Sequence, residues 1–311
     1  DLAGNVLDGD GNGTGGDNFV LTFTTACTNS IVVATNADSG PGSLRQAVID
    51  ACPGSTITFD INTVVSPISL STGQIMLTKD VNIQGPGANV LTVQNTQSPS
   101  TTSRVFYLSS GVTANISGLT ISGGNVTGAS GGGILSNGSL TLTVVAIDGN
   151  SAGNGAGGGV AATGTLNVID STISNNDAAL SGAIYPFGVA ILNIKNSTLS
   201  GNSTINVGGA ITESGTSLGS LTTIENSTIT NNSTTAANGG GIFASRSPII
   251  RSTIIAGNTA GSTPDVFGAF NSQGYNLVGK ADGSTGFTAT GDITGTISSP
   301  LDPRLTPLAN N

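Results

Sequence analysis

The sequence predicts an all-β fold, a single-stranded right-handed parallel β-helix whose N-terminal cap contains one short helix. Three observations carry that prediction. A Ser/Thr-Ile-x-x-Asn phrase returns six times, anchored at Ile121, Ile147, Ile173, Leu199, Ile229 and Ile254, at intervals of 26, 26, 26, 30 and 25 residues. A second phrase, Gly-Gly-Gly-Ile or a near variant, lies between the copies at Gly131–Ile134, Gly157–Val160, Ser181–Ile184, Gly208–Ile211 and Gly239–Ile242. Charged residues make up 8% of the chain and 47 of its 311 residues are glycine, without the triplet period of collagen. A fixed period of short β-rich runs punctuated by Gly, Asn and Ser is the pattern of a solenoid, which grows by stacking and needs no division into domains.

One unit, Leu192 to Asn202, alternates apolar and polar residues at Leu192 and Ile194, bends, and resumes at Leu199. That is strand periodicity with a corner inside it. The runs are short, β-branched and cut by Gly and Asn, which disfavours helix. Corners fall at Gly-Asn, Gly-Gly and Asn-Ser, residue types that accept positive φ. Coiling lays each strand in parallel on its counterpart one turn earlier, and nine to eleven such coils at about 4.8 Å each give a rod of about 45–55 Å. On this register the six anchors form one inward ladder. Asn125, Asn150, Asn176, Asn202, Asn232 and Asn258 form a corner ladder of stacked amides. Thr120, Thr172, Thr198, Thr228 and Thr253 form an outward column interrupted at Ala146.

Residues 61–262 hold these coils. Ahead of them, residues 26–60 read as a cap in which a helix over Ser43–Ala51 places Leu44, Ala47, Val48 and Ala51 on one face. Cys27 and Cys52 are the two cysteines, and an even count in a Ser/Thr/Asn-rich chain predicts a disulfide, the alternative being two buried thiols. Residues 263–311 read as the last coils and a closing segment.

The repeat, the Gly-Gly-Gly-Ile corners and the Asn column resemble right-handed parallel β-helix proteins of the bacterial cell surface. The run from Ile31 to Val48, followed by Gly54-Ser-Thr-Ile-Thr-Phe-Asp60, resembles the module that opens many such secreted β-helices. Pro264-Asp-Val-Phe, Gly274-Tyr-Asn-Leu-Val-Gly-Lys and the stretch from Leu301 to Asn311 resemble their closing segment. The resemblance implies an extracellular, adhesin-like surface protein. Residues 1–25, with Asp1-Leu-Ala-Gly-Asn-Val-Leu and Phe19-Val-Leu-Thr-Phe-Thr-Thr, resemble the last two strands of a bacterial Ig-like domain. That implies chain upstream of Asp1, and a strand over Asn18–Thr25 that pairs with the β-helix edge or with another subunit.

Eight basic residues against 17 acidic ones, a net charge of −9 and no histidine disfavour nucleic acid and anionic lipid as partners. No apolar run approaches the roughly 18 residues of a membrane span. The one constellation with metal-ligand spacing is Asp8, Asp10, Asn12 and Gly13, which matches the opening of a calcium loop, with Asp17 completing an oxygen cage. Its alternative is a polar hairpin. Catalysis on a polysaccharide needs paired carboxylates, and the helix body offers Asp148, Asp170, Asp177, Glu213 and Glu225 beside Lys195, Arg246 and Arg251. Asp170 and Glu213 fall in different columns. Nine Asn-x-Ser/Thr sequons coincide in part with the repeat itself. The function expected is a structural or adhesin-like surface component, able to join head to tail into a fibre or to meet a glycan or host-surface ligand, with a polysaccharide-binding or polysaccharide-cleaving β-helix as the alternative.

Overall fold

The computed structural model describes residues 27–97, 103–188, 190–213 and 221–306. They form a parallel β-solenoid of about 9 turns with a single short helix. Each middle coil contributes one strand to each of three long sheets. Thr165–Ile169 lies in the first face, Thr172–Ser174 in the second and Ile184–Pro186 in the third. The faces carry ten, ten and nine strands respectively, every pairing between them parallel. A fourth, three-stranded ribbon through Asp177–Ala178, Ser203–Thr204 and Ser233–Thr234 widens the corner between the second and third faces. The sequence pattern predicts three strands per coil and does not show this ribbon, whose strands are two residues long and mostly polar.

Alternation sends one apolar residue inward from each face at every coil. Ile121, Ile147, Ile173, Leu199 and Ile229 are all fully buried, as are Val160, Ile184, Ile211 and Ile242 on the third face. Each such side chain contributes at most about 1.5–3 kcal/mol. The inward residue of the next coil is Ile255, not Ile254. Ile229 pairs with Ile255, while Ile254 pairs with Thr228 in the outward column. Thr253 turns into the corner instead. The Ser-Thr pair recurs one residue early in this coil, and a one-residue slip exchanges inside for outside.

Two side-chain ladders run along the corners of the second face. In the first, the amide nitrogen of each of Asn150, Asn176, Asn202 and Asn232 donates to the Oδ1 of the asparagine one coil on, at 2.8–2.9 Å. Each Oδ1 also accepts the backbone N–H of the preceding rung, and each Nδ2 reaches a backbone carbonyl such as Ile173 O at 2.9 Å. The backbone groups a tight corner leaves unpaired are thus satisfied. Asn125 does not join. Gly124 holds that rung, its N–H donating to Asn150 Oδ1 at 2.9 Å, while Asn125 is exposed one position further on. The second ladder is built from hydroxyls. Ser171, Ser197 and Ser227 Oγ, then Thr253 Oγ1, accept the backbone N–H of the coil before at 3.1–3.4 Å. Both ladders end on a carboxylate, at Asp265 and at Asp292.

The cap matches its expectation. A helix spans Leu44–Asp50, Ser43 Oγ caps it by accepting Gln46 N–H at 3.2 Å, and Leu44, Ala47 and Val48 are buried. Lys79 Nζ donates to Ile49 O and Ala51 O at the other helix end, where a cation suits the exposed carbonyls. Cys27 and Cys52 are joined by a disulfide across 25 residues. Arg45 clamps the cap onto the first coil, pairing with Asp38 Oδ1 at 2.6 Å while donating to the carbonyls of Gly73 and Gln74. Asp38 Oδ2 accepts the N–H and hydroxyl groups of Ser71 and Thr72.

Burial works against ionisation of Asp38, but the bonds from Arg45, Thr72 and Ser71 and the charge of Arg45 prevail and hold its pKa at about 2. A depressed carboxyl pKa contributes stability that is present above the unfolded value and lost as pH falls through the folded one. The cap is therefore expected to weaken between pH 3.8 and about 2. Asp38→Asn should remove that acid step from a stability-versus-pH curve, at a cost of about 1–2 kcal/mol at neutral pH after allowing for solvent screening.

Candidate functional site

The second face presents the residues best placed to meet a ligand. Its outward column runs Thr120, Ala146, Thr172, Thr198 and Thr228, with Ser122, Asp148, Ser174, Ser200 and Thr230 two residues on. The threonines are half-buried and Ser174 and Ser200 are buried, so the column is not an open array of exposed hydroxyls. At Ala146 the missing hydroxyl and methyl leave a hollow. Above it hangs the longer corner Gly87–Asn89, held by a bond from Thr120 Oγ1 to Ala88 O at 2.6 Å. The result is a groove of about 680 Å³ flanked by Asp148 and Asp170.

Its two carboxylates are held in similar ways. Asp148 Oδ1 accepts Ser174 Oγ at 2.7 Å and Asn175 Nδ2 at 2.8 Å. Asp170 Oδ1 accepts Asn196 Nδ2 at 3.0 Å. They occupy opposite edges of the face, Asp170 on the left-handed corner that precedes the strand and Asp148 one coil earlier, level with Ser174 at the strand's end. Each is tied on its own edge by the side chains just named, and no third carboxylate lines the groove between them.

The remaining charged candidates disperse. Asp177 sits on the exposed side of the corner ribbon, where Ser203 Oγ donates to it at 2.8 Å. Lys195, Glu225 and Arg251 stack in one column of the first face, a coil apart. Such a surface column is worth under about 1 kcal/mol per pair.

Glu213 is the exception, because it points inward. It is 6% exposed on the third face, and one of its carboxylate oxygens is buried with no hydrogen-bond partner among the described residues. Thr222 stands in the inward column of the first face where Leu192 stands one coil earlier. Burial pushes the Glu213 carboxyl up, opposed by the Thr222 hydroxyl and the charge of Arg246. The replacement of Leu by Thr in a column that is apolar from Val81 to Leu192 is the signal in the sequence that marks this buried polar pair.

Asp265 is the other buried carboxyl. Its Oδ1 closes the asparagine ladder, accepting Asn258 N–H and Nδ2 at 2.9 Å, while Oδ2 is buried without a partner among the described residues. Burial raises its pKa, against the bonds from Asn258 and the nearby N–H and charge of Lys280. A raised carboxyl pKa gives stability that is present below the unfolded value and lost as pH rises through the folded one. Asp265→Asn keeps both accepted bonds and removes the charge. Its stability relative to the parent chain is therefore expected to improve as pH rises from 4 to 8, measured as the difference in urea midpoint.

The calcium candidates Asp8, Asp10, Asn12 and Asp17 lie outside the described residues, as do the Ig-like strands of residues 1–25. Among the described residues no group of three or more His, Cys, Asp or Glu is placed to hold a metal ion. No described helix is long and apolar enough to cross a membrane. Comparison with family models, with curated proteins and with solved structures found no match.

Proposed function

We propose that this chain is an extracellular structural element, an adhesin-like rod at a cell surface whose copies join end to end. The observation that carries the proposal is the pair of side-chain ladders, which bind successive coils to one another without a break from Val145 to Asp292 and from Gly124 to Asp265. A rod held in that way keeps its length and shape under load. Its few charges make it indifferent to salt, and the Cys27–Cys52 disulfide suits an oxidising compartment. End-to-end joining draws on the open sheet edges. Among the described residues, Thr28–Val33 at one end and Ser284–Thr285 and Ile293–Thr294 at the other have no strand on their outer side. Unpaired edges recruit further strands, and a head-to-tail contact of this kind propagates as a filament.

Electron microscopy of the native material, with and without a calcium chelator, tests this. Filaments whose axial repeat is one rod length, about 43 Å for nine coils at strand spacing, are the expected result. Their dissolution on chelation would place calcium in the joint and direct attention to Asp8, Asp10, Asn12 and Asp17. Isolated rods at high concentration would overturn end-to-end joining. A second reading, a polysaccharide-handling β-helix, draws on the groove over Ala146 and the two carboxylates, Asp148 and Asp170, that flank it.

A further inference from the structure

We infer that the groove over Ala146 is a binding site for a neutral sugar residue of a glycan chain. The inference goes beyond the structural role and holds whether or not the rods form filaments.

The argument begins with what the groove leaves unsatisfied. Asp148 and Asp170 each spend Oδ1 on protein donors, and neither Oδ2 has a partner among the described residues. The Thr172 and Ser200 hydroxyls, which line the same groove, likewise have none. The wall therefore offers anchored acceptors at both edges and free hydroxyls between them. Between those edges lies the Ala146 methyl, and Val144, 51% exposed, stands on the left-handed corner one coil before Asp170 and gives that edge an apolar flank. A pyranose has the matching surface, with hydroxyl donors around its rim and C–H groups on its face.

Charge then narrows the class. None of the 8 Lys and Arg residues lines the groove, while two carboxylates do, which disfavours uronates, sulfated sugars and phosphates by like-charge repulsion. The groove volume lies within the usual range of about 300–1,000 Å³ for small-ligand sites. No aromatic ring lines it, so affinity rests on hydrogen bonds and is expected to be weak for each sugar.

The repeat itself supplies the sharpest variant. Thr occupies the position of Ala146 in the neighbouring coils at Thr120 and Thr172, so Ala146→Thr restores the column and fills the hollow without departing from the pattern of the fold. Calorimetric titration of the full chain would use neutral gluco-, manno-, galacto- and xylo-hexasaccharides, with hexagalacturonate and deacetylated chitohexaose as charged probes. Saturable binding of at least one neutral probe is expected, with hexagalacturonate inert. Ala146→Thr and Asp148→Asn should each weaken binding at least about tenfold with unchanged thermal midpoints, while Thr198→Val, in the same column outside the groove, should bind as the parent does. Failure of every neutral probe to bind, preference for either charged probe, or parental affinity in both groove variants would overturn the inference.

Discussion

Asn202→Ala is expected to destabilise the protein by about 4–6 kcal/mol, because it empties a rung in the middle of the ladder. Asn202 Oδ1 accepts the N–H and the side-chain amide of Asn176, at 3.0 and 2.9 Å, and its Nδ2 donates to Ile173 O and to Asn232 Oδ1. Truncation leaves the Asn176 N–H and one hydrogen of its side-chain amide unpaired at a site that is 0% exposed, and takes one donor each from Ile173 O and Asn232 Oδ1. Each unsatisfied buried group costs about 1–3 kcal/mol, and the costs overlap because one relaxation serves several of them. Asn125→Ala is the matched control. Asn125 lies in the same repeat phrase but outside the ladder, and its replacement should shift stability by less than about 0.5 kcal/mol. Urea unfolding of the two variants measures both. Equal effects would show that the ladder register is wrong.

Gly182→Ala carries the second large expectation, about 3 kcal/mol, and it arises from crowding alone. Gly182 sits in the corner before the third face with no left-handed φ to satisfy. A Cβ there would lie 2.6 Å from Ser203 N and O and 2.7 Å from Gly209 O, all backbone atoms of the next coil. The coil cannot move aside without breaking the bond from Gly182 N to Gly209 O at 2.9 Å. Gly149→Ala separates this cause from conformational strain. Gly149 has φ +64° and nothing within 4 Å of the point where a Cβ would stand, so its cost should stay near the roughly 1–2 kcal/mol of a left-handed non-glycine residue. A larger loss at Gly149 than at Gly182 would show that the corner is limited by backbone angle rather than by coil spacing.

Period, strand type and cap were legible in the sequence because each is written in residue types with strong local preferences. Val, Ile and Leu alternate where strands run, and Ser43 precedes an apolar helical face at the cap. Register was legible only where the repeat is regular. Ile147 to Asn150 and Ile173 to Asn176 are three residues apart, whereas Ile121 to Asn125 and Ile254 to Asn258 are four apart. That extra residue marks the two places where the motif and the fold part company. At Arg251-Ser-Thr-Ile-Ile255 the Thr hydroxyl replaces a Ser hydroxyl in the corner, an exchange the chemistry allows and a motif search misses. The candidate site was less legible. Asp148 and Asp170 lie 22 positions apart in sequence, and only coiling puts them on two edges of one groove. The hollow at Ala146 shows in the sequence as an interruption, but the overhanging corner at Gly87–Asn89 that turns it into a groove depends on three-dimensional packing. The carboxylate ends of both ladders went unseen because Asp265 and Asp292 fall outside the repeat phrases.

The central claim is that the ladders make the coils one rigid, cooperative rod. Native-state hydrogen exchange across a urea series tests it most directly at the backbone N–H groups of Asn150, Asn176, Asn202 and Asn232, each of which donates to the next rung. The prediction is a shared opening free energy and a shared urea dependence for all four, equal to those of global unfolding. A graded series, with each coil opening independently and the values falling toward one end, would contradict it.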